Sequence, residues 1–230
     1  MDLIEVWLKD PLKHWYYRHK FAAIKREAEL AVDLKSIVDI GAGSAIFSRE
    51  LLKLNNDVQV QAVDIGYEYE GIDRNEIRLT YTRTCSNFDA DLFLLTDVLE
   101  HVEDDSTFLN LIVLKAKPGA IFIITVPCFL SLWSFHDEYL KHFRRYTLDQ
   151  LETLAVDNDL IIKKSYYLFG LLYPIAFISR KFGKKKISSQ LKETRNLENA
   201  IFFLLLSFDK LFTRIFKFGI SGLLVAEKDF

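Results

Sequence analysis

The sequence predicts a doubly wound α/β fold with a mostly parallel sheet of seven strands. Short apolar segments alternate with segments of helical pattern, and repeated strand–helix–strand units favour right-handed crossovers and parallel pairing. Two apolar runs, at 91–96 and 120–126, are nearly continuous, as in strands that are buried on both faces. A glycine turn, Gly41-Ala42-Gly43, follows the first strand.

Length and composition limit the number of domains and the class of protein. The 230 residues suit one sizeable core, so we expect a single domain over 1–230, with an N-terminal helical flap at 1–35 and a helical insertion at 170–219. The formal charge of -2 is not the positive charge that would attract nucleic acid to the protein as a whole. Two cysteines without metal or disulfide spacing favour a cytoplasmic protein. No apolar run reaches the roughly 18–20 residues that span a bilayer.

The N-terminal segment is helical in pattern and unusually aromatic, with His14-Trp15-Tyr16-Tyr17-Arg18-His19 near its start. One interpretation is a flap over a cofactor, with Trp15 or Tyr16 on the apolar part of the cofactor and Arg18 pairing with its carboxylate. The alternative is a helix whose rings pack on the edge of the sheet.

The first strand, at 37–40, and the glycine turn predict a nucleotide site. The segment 44–53 has the pattern of a helix, and a glycine turn before a helix N-terminus exposes backbone N–H groups to a nucleotide. Gly41, Ala42 and Gly43 would supply these groups. A dinucleotide fingerprint would have a third glycine where Ile46 stands, so the turn disfavours a dinucleotide.

The second and third strands are predicted at 57–65 and 77–82. Asp64 lies about twenty residues after the glycine turn, at the end of the next strand, where a carboxylate can accept both hydroxyls of a ribose. Ile65 follows and is expected beside the same ligand. The alternative for Asp64 is an exposed turn residue at a strand end.

The fourth strand, at 91–96, leads into Asp97-Val98-Leu99-Glu100-His101. If this segment is helical, Asp97, Glu100 and His101 share one face at i, i+3 and i+4. Such a group could hold an ion such as Mg²⁺ or orient a general base, or its members could bond one another and cap the helix. Thr96, Asp97 and Val98 are expected to line a cofactor site at the strand end.

The loop after the fifth strand, at 127–146, is long for a connection, and long loops at this edge of a sheet tend to be functional. Two histidines and an acid lie there beside aromatic and arginine side chains, which suits a pocket for a polar or anionic substrate. The histidines are His136 and His142, and the candidate substrate ligands are Trp133, Arg144, Arg145 and Tyr146. The alternative is a charged surface turn.

The insertion separates a sixth strand, at 161–169, from the last strand, at 221–228. It contains an apolar segment at 171–178, a basic cluster at 180–186 and a bulky apolar segment at 200–218. In the last of these, Lys210, Arg214 and Lys217 share one helix face. A helical lid, a homodimer interface and a helix lying on a membrane surface are the three alternatives.

The glycine turn with its preceding acid Asp39, the later Asp64, the D-x-x-E-H segment and the R-R-Y-T loop together resemble class I S-adenosylmethionine-dependent methyltransferases. The D-x-x-E-H segment is similar to that of quinone-biosynthesis O-methyltransferases and small-RNA 2′-O-methyltransferases. The long loop is similar to a bacterial branch linked to glycan or lipid pathways. The resemblance implies S-adenosylmethionine as the cofactor and an antiparallel last strand. Where that family often has an acid for the adenine, this chain has hydroxyl and backbone groups, with Ser86 among them.

The resemblance also implies transfer of a methyl group to the hydroxyl of a small molecule, a sugar or a lipid-linked glycan. The base that takes the hydroxyl proton would be one of His101, His136 and His142. The alternatives are a nicotinamide-dependent oxidoreductase, which Ile46 disfavours, and a catalytically inert membrane-associated binding protein. We expect a cytoplasmic protein, peripheral on the inner membrane if the insertion contacts lipid.

Overall fold

A computed structural model describes residues 11–31, 33–182, 202, 206 and 208–229. The strands, in chain order, are β1 (Ser36–Ile40), β2 (Gln59–Val63), β3 (Gly71–Ile72), β4 (Leu79–Thr82), β5 (Leu92–Thr96), β6 (Ile121–Pro127), β7 (Leu160–Leu168) and β8 (Ser221–Lys228). The helices are α1 (Trp15–Ala28), α2 (Ile46–Leu51), α3 (Asp105–Val113), α4 (Phe135–Tyr139), α5 (Leu148–Val156), α6 (Tyr173–Phe182) and α7 (Asp209–Phe216).

The strands form one sheet in the order β3-β4-β2-β1-β5-β6-β8-β7. Strands β1, β2, β4, β5 and β6 run parallel, and β8 lies antiparallel between β6 and β7. The predicted doubly wound, mostly parallel fold is therefore confirmed, including its antiparallel last strand. The additional strand is β3, which pairs antiparallel with β4. Its two residues are too few to show the alternation on which a strand prediction depends.

Helices cover both faces of the sheet because its central strands are apolar throughout. Strand β5 is buried along its whole length. Helices α1 and α2 contribute Ile24 and Phe47 to the core on one face. Helices α3 and α5 contribute Leu109 and Leu151 to the core on the other face. This three-layer arrangement is the one that strands buried on both faces require.

The chain reverses its direction across the sheet at β1. From β1 it passes through α2 to β2 and β4 on one side, and it later returns to β5 on the other side. In parallel sheets of this kind, ligands bind in the crevice outside the carboxyl ends of the strands that flank the reversal. The turn after β1 and the segment after β5 therefore lie side by side at the expected position of a site.

The described part of the predicted insertion consists of a 3-10 turn, Gly170–Leu172, and the helices α6 and α7. Asp209 begins α7, is buried, and accepts hydrogen bonds from the backbone N–H groups of Phe169 (2.6 Å) and Leu171 (3.0 Å). The predicted lysines at 184–186 and most of 200–207 lie outside the described residues. Among the helices that the structure describes, none is long and apolar enough to cross a membrane.

Candidate functional site

The turn after β1 adopts a backbone conformation that favours glycine. Gly41 and Gly43 have φ angles of +67° and +54°. The N–H groups of Gly41 and Ala42 both donate to the carbonyl of Val63, at 2.8 and 3.0 Å, which ties the turn to the end of β2. These two N–H groups, which were expected to face a nucleotide, therefore have a partner within the protein. A Cβ on Gly41 would lie 2.5 Å from Cγ2 of Val98. The turn is thus packed directly against the segment that follows β5.

Asp64 braces the glycine turn from the end of β2. Its Oδ2 accepts a hydrogen bond from the Gly43 N–H at 2.9 Å, and its Oδ1 accepts one from the Gly66 N–H at 2.8 Å. Asp64 is half-buried, while the neighbouring Ile65 is 89% exposed. Because a carboxylate has about four acceptor sites, Asp64 can hold the turn and still accept ribose hydroxyls. Its ribose role stays a prediction that this geometry favours.

Asp39 lies beneath the turn. It is buried in β1 and accepts a hydrogen bond from the hydroxyl of Ser48, on α2, at 2.5 Å. Burial raises the pKa of Asp39 to about 6, against the lowering effect of this hydrogen bond. Asp39 therefore joins β1 to α2, and its predicted contact with the cofactor stays a prediction. Ala45, between the turn and α2, has a φ of +55°, which is a conformation that glycine adopts more easily.

The residues around Ser86, which were predicted to face the adenine, are held in place by Gln61, on β2. The Gln61 Nε2 donates to Ser86 Oγ at 2.7 Å, and its Oε1 accepts from the Asn87 N–H at 3.1 Å. Ser86 itself is exposed. Sequence reasoning missed Gln61, whose position in a strand of alternating pattern carries no signal of this contact.

A buried lysine joins α1 to the end of β5. Lys20 forms an ion pair with Asp97, and the second oxygen of Asp97 accepts a hydrogen bond from Thr125 Oγ1 at 3.1 Å. Burial acts to lower the pKa of Lys20, but the charges and hydrogen bonds of Asp97 and Tyr16 together outweigh burial and raise it. Thr96, just before Asp97, is buried. Sequence reasoning missed Lys20, because a single lysine in a helical pattern is typical of an exposed face.

The expectation that Asp97, Glu100 and His101 share one helix face is wrong. Only a 3-10 turn, Leu99–His101, forms here, and Asp97 precedes it with a left-handed φ of +54°. Its carboxylate is turned to Lys20. The structure instead brings together Glu100, His101 and His142, whose nearest ligand atoms all lie within 4.8 Å of one another.

Glu100, His101 and His142 form a cluster of one carboxylate and two imidazoles beside the end of β5. The rings of His101 and His142 meet edge to face with their centroids 4.6 Å apart. Glu100 is buried, and its Oε2 has no hydrogen-bond partner among the described residues. Burial, together with the nearby charge of Asp97, raises the pKa of Glu100 well above its usual value. The donor set suits Mn²⁺, Fe²⁺ or Zn²⁺ better than Mg²⁺, which prefers oxygen ligands.

Asp137, on α4, organises the loop after β6. Its Oδ1 lies 3.0 Å from His142 Nδ1 and accepts a hydrogen bond from Arg145 Nε at 2.6 Å. Its Oδ2 accepts from the backbone N–H of Ser134 at 2.8 Å, which caps α4. Burial acts to raise the pKa of Asp137, but the bonds to His142 and Arg145 outweigh it and hold the pKa far below its usual range. Asp137 therefore carries a charge that orients His142.

The predicted substrate ligands in this loop mostly have partners within the protein. Arg145 is buried against Asp137, as described above, and also donates to the carbonyl of Cys128 at 3.2 Å. The Tyr146 hydroxyl donates to Asp105 at 2.6 Å, and Arg144 pairs with the same carboxylate at 2.6 Å. These contacts favour a role in holding the loop on α3, and the substrate role of these residues stays a prediction.

The remaining candidates are two residues of α1 and two of the loop after β6. Trp15 stacks on Phe202 with a centroid distance of 5.0 Å, which agrees with the packing alternative for the N-terminal rings. Arg18 is exposed on α1, and Trp133 is half-buried. Burial lowers the pKa of His136 to about 4, so this imidazole is neutral at pH 7. The flap role of Trp15 and Arg18 stays a prediction.

Solved structures share this fold at low sequence identity. A phosphoethanolamine N-methyltransferase 2 from Haemonchus contortus, in complex with S-adenosyl-L-methionine, is 17% identical, with a TM-score of 0.57 over 92% of this chain and 52% of that one. A SAM-dependent methyltransferase from Archaeoglobus fulgidus is 15% identical, with a TM-score of 0.52 over 92% of this chain and 94% of that one. The [4+2]-cyclase SpnF is 12% identical, with a TM-score of 0.58 over 97% and 85%. At these identities the likeness shows the fold alone.

A comparison with curated proteins finds no match. A family model described as a methyltransferase domain matches residues 12–162, which is more than half of the chain. The matched part runs from α1 to β7 and includes the glycine turn, Asp64 and the cluster of Glu100, His101 and His142. The chain therefore belongs to the methyltransferase domain family.

Proposed function

We propose that the protein transfers a methyl group from S-adenosylmethionine to the hydroxyl of a small molecule, a sugar or a lipid-linked glycan. The observation that carries this proposal is the pair formed by His142 and Asp137, beside His101 at the strand end that packs on the glycine turn. A hydroxyl is a weak nucleophile and needs a base for its proton. The family match favours this reaction over the nicotinamide alternative.

The proton moves to an imidazole while the methyl group is displaced in line. If Asp137 accepts the N–H of His142 Nδ1, the other ring nitrogen, Nε2, is left as an acceptor for the substrate proton. The bond between sulfur and methyl carbon breaks as the bond between oxygen and that carbon forms, and the sulfonium becomes an uncharged thioether. The negative charge of Asp137 stabilises the imidazolium that results. Such a transfer depends mainly on holding the methyl donor and the hydroxyl in the right orientation, and the strand ends around the site would do so.

The cofactor would lie along the glycine turn. Gly41, Ala42 and Gly43 bring the backbone close to the nucleotide, and Asp64 accepts the ribose hydroxyls. The exposed side chain of Ile65 lies next to this acid and suits contact with an adenine face. Lys20 neutralises Asp97 at the neighbouring strand end, which keeps a free carboxylate away from the methyl donor.

The cofactor role is tested by calorimetry with S-adenosylhomocysteine. Replacing Asp64 by alanine should weaken binding by about 1.5–3 kcal/mol, because two hydrogen bonds to a charged acceptor are lost. The matched control is Asp57→Ala, which removes an exposed carboxylate just before β2 and should leave binding unchanged. Binding of NADH in place of S-adenosylhomocysteine, or equal affinity in the Asp64 variant, would contradict the proposed site.

A second role for the same cluster is to hold a transition-metal ion, and the convergence of Glu100, His101 and His142 favours it. A bound ion of this class would lower the pKa of a hydroxyl that it contacts. The Mg²⁺ expected from the sequence is a poor match to two imidazoles. In this role the histidines act as ligands, and the base must be another group.

Metal removal separates the two roles. If the cluster is a metal site, titration of the chelated protein with Mn²⁺ or Zn²⁺ should release heat and raise Tm, and His142→Ala should abolish both effects. The matched control is His136→Ala, which lies outside the cluster and should leave metal binding intact. Full methyl transfer after exhaustive chelation, with no heat on titration, would leave His101 and His142 as base and orienting groups.

A further inference from the structure

Among the described side chains of helix α7, two polar ones are turned inward and three apolar ones are exposed. Asp209 and Thr213 are buried at i and i+4, whereas Leu211 and Ile215, also at i and i+4, are each 62% exposed. A helix that covers a core normally shows the opposite pattern. Packing on the part of the chain that the structure describes therefore does not explain the outward apolar side chains of α7.

Contacts at its start fix the orientation of α7. Asp209 accepts the two backbone N–H groups at the end of β7 already described, and its Oδ2 lies 3.7 Å from His19 Nε2 on α1. Rotating the helix to bury Leu211 would break the hydrogen bonds of Asp209 and leave these N–H groups without partners, which is unfavourable. The outward apolar side is thus a fixed feature of the fold.

Helix α6 also has exposed apolar side chains, and a set of aromatic rings links its start to α7. Ile175 and Ile178 are exposed one helical turn apart, and Tyr173, at the start of α6, lies 4.8 Å from Phe218 between ring centroids. The ring of Phe218 also meets that of Phe212, on α7, at 5.6 Å. We define the apolar face as the six exposed side chains of the two helices and the residue before α7: Ile175, Ile178, Phe208, Leu211, Ile215 and Phe216.

The apolar face adjoins the candidate site. The hydroxyl of Tyr173 lies 3.2 Å from that of Ser131, in the loop after β6, and the neighbouring Leu130 is exposed there. This is the loop that also carries Asp137 and His142. A molecule that contacts the apolar face beside Tyr173 therefore lies next to the loop that carries these two residues.

Positive charge accompanies the apolar face. Lys181 in the last turn of α6 and Lys217 directly after α7 are both exposed. The whole chain has a formal charge of -2, so an attraction to anions depends on such local cations. Six large apolar side chains with flanking lysines are enough for an amphipathic element at a lipid interface. A stable dimer usually takes about 20–30 residues from each subunit.

We propose that the apolar face docks on the surface of an anionic lipid bilayer. The identity of the acceptor rests on the proposed function as well. The acceptor is then a hydroxyl on a lipid-linked molecule that enters the site beside Leu130. Apolar side chains would enter the boundary between head groups and acyl chains, while Lys181 and Lys217 meet the anionic head groups.

Sedimentation with vesicles tests this proposal. The wild type should sediment at low salt with vesicles of phosphatidylcholine and phosphatidylglycerol, and should be released at high salt. The double variant Leu211→Ser/Ile215→Ser should bind at least about tenfold more weakly. The matched control is Leu111→Ser/Leu114→Ser, which alters two exposed leucines at the end of α3 (55% and 61% exposed) and should change nothing.

The lysines are tested separately from the apolar side chains. Lys181→Gln/Lys217→Gln should weaken binding to anionic vesicles by about fivefold for each lysine, and should not change the weaker binding to phosphatidylcholine alone. Circular dichroism checks that every variant is folded. Failure of the wild type to sediment at low salt, or an equal loss in the α3 control, would overturn the proposal. So would a dimer, seen by light scattering, that the Leu211 and Ile215 changes abolish without any vesicle binding.

The outcome is distinguishable from a failure of the proposed function. Calorimetry with S-adenosylhomocysteine should give the same affinity for the wild type and for the Leu211→Ser/Ile215→Ser variant, because neither residue lies at the glycine turn. Cofactor binding without vesicle binding would overturn the docking proposal alone. Vesicle binding without cofactor binding would overturn the proposed function and leave the docking surface standing.

Discussion

At the residue scale, Gly41 is subject to two constraints that can be measured separately. Its φ of +67° is unfavourable for any residue with a Cβ, by about 1–2 kcal/mol. A Cβ there would also come within 2.5 Å of Val98. We therefore expect Gly41→Ala to lower the free energy of unfolding by about 2–4 kcal/mol, measured by urea denaturation, since the strain and the overlap both contribute.

Gly119 offers a matched control for the backbone part of this effect. Its φ of +77° is similar, but a Cβ on it would have no atom within 4 Å. Gly119→Ala should cost only about 1–2 kcal/mol. In a Val98→Ala background, Gly41→Ala should become less damaging, because the overlap is relieved. Equal costs for the two glycine changes would show that the contact with Val98 is unimportant.

At the element scale, α1 is held on the sheet by Glu27 as well as by Lys20. Glu27 is buried and accepts hydrogen bonds from Lys164 Nζ and from the Tyr166 hydroxyl, both at 2.8 Å and both from β7. Burial acts to raise the pKa of Glu27, but these hydrogen bonds outweigh it and lower the pKa below 4.5. Glu27→Gln should therefore destabilise the protein by about 1–2 kcal/mol at pH 7, after allowance for the partly exposed Lys164.

The pH dependence of this loss follows from the lowered pKa. A carboxyl group with a depressed pKa stabilises the fold above its ordinary value of 4.5, and this contribution disappears as the pH falls through the folded value. The Tm of the wild type and of Glu27→Gln should thus differ at pH 7 and converge below about pH 4.5. Glu29→Gln, which alters an exposed pair with Lys25, is the control and should shift Tm little at either pH. A constant difference at all pH values would assign the effect of Glu27 to packing.

At the scale of the whole molecule, the fold class was predictable from local patterns. Strands β5 and β6 are covered on both faces, and so they need apolar residues at nearly every position. The glycine turn and Asp64 were also predictable as neighbours, because β1 and β2 are adjacent parallel strands and their carboxyl ends meet. This part of the candidate site belongs to a single strand–helix–strand unit.

The rest of the candidate site depends on contacts that no local pattern of residue types shows. Lys20 and Asp97 are 77 positions apart, and no local period links them. Arg145 and Tyr146 have the composition of an anion pocket, but their partners, Asp137 and Asp105, can be identified only in three dimensions. The left-handed backbone at Asp97, which removes it from the predicted helix face, is equally invisible in a pattern of residue types.

The position of β8 has a consequence for how this protein can vary. Strands β7 and β8 are antiparallel neighbours, paired from Leu160 with Lys228 to Leu168 with Ser221, and so they form the two arms of a hairpin. Such arms need only about 2–5 connecting residues, which makes the whole of 169–220 an enlarged hairpin loop. The entropy of closing a loop grows slowly, by about 0.6 kcal/mol for each doubling of its length. Selection can therefore lengthen, shorten or recompose the exposed surface of this loop while the strand ends around the glycine turn stay as they are.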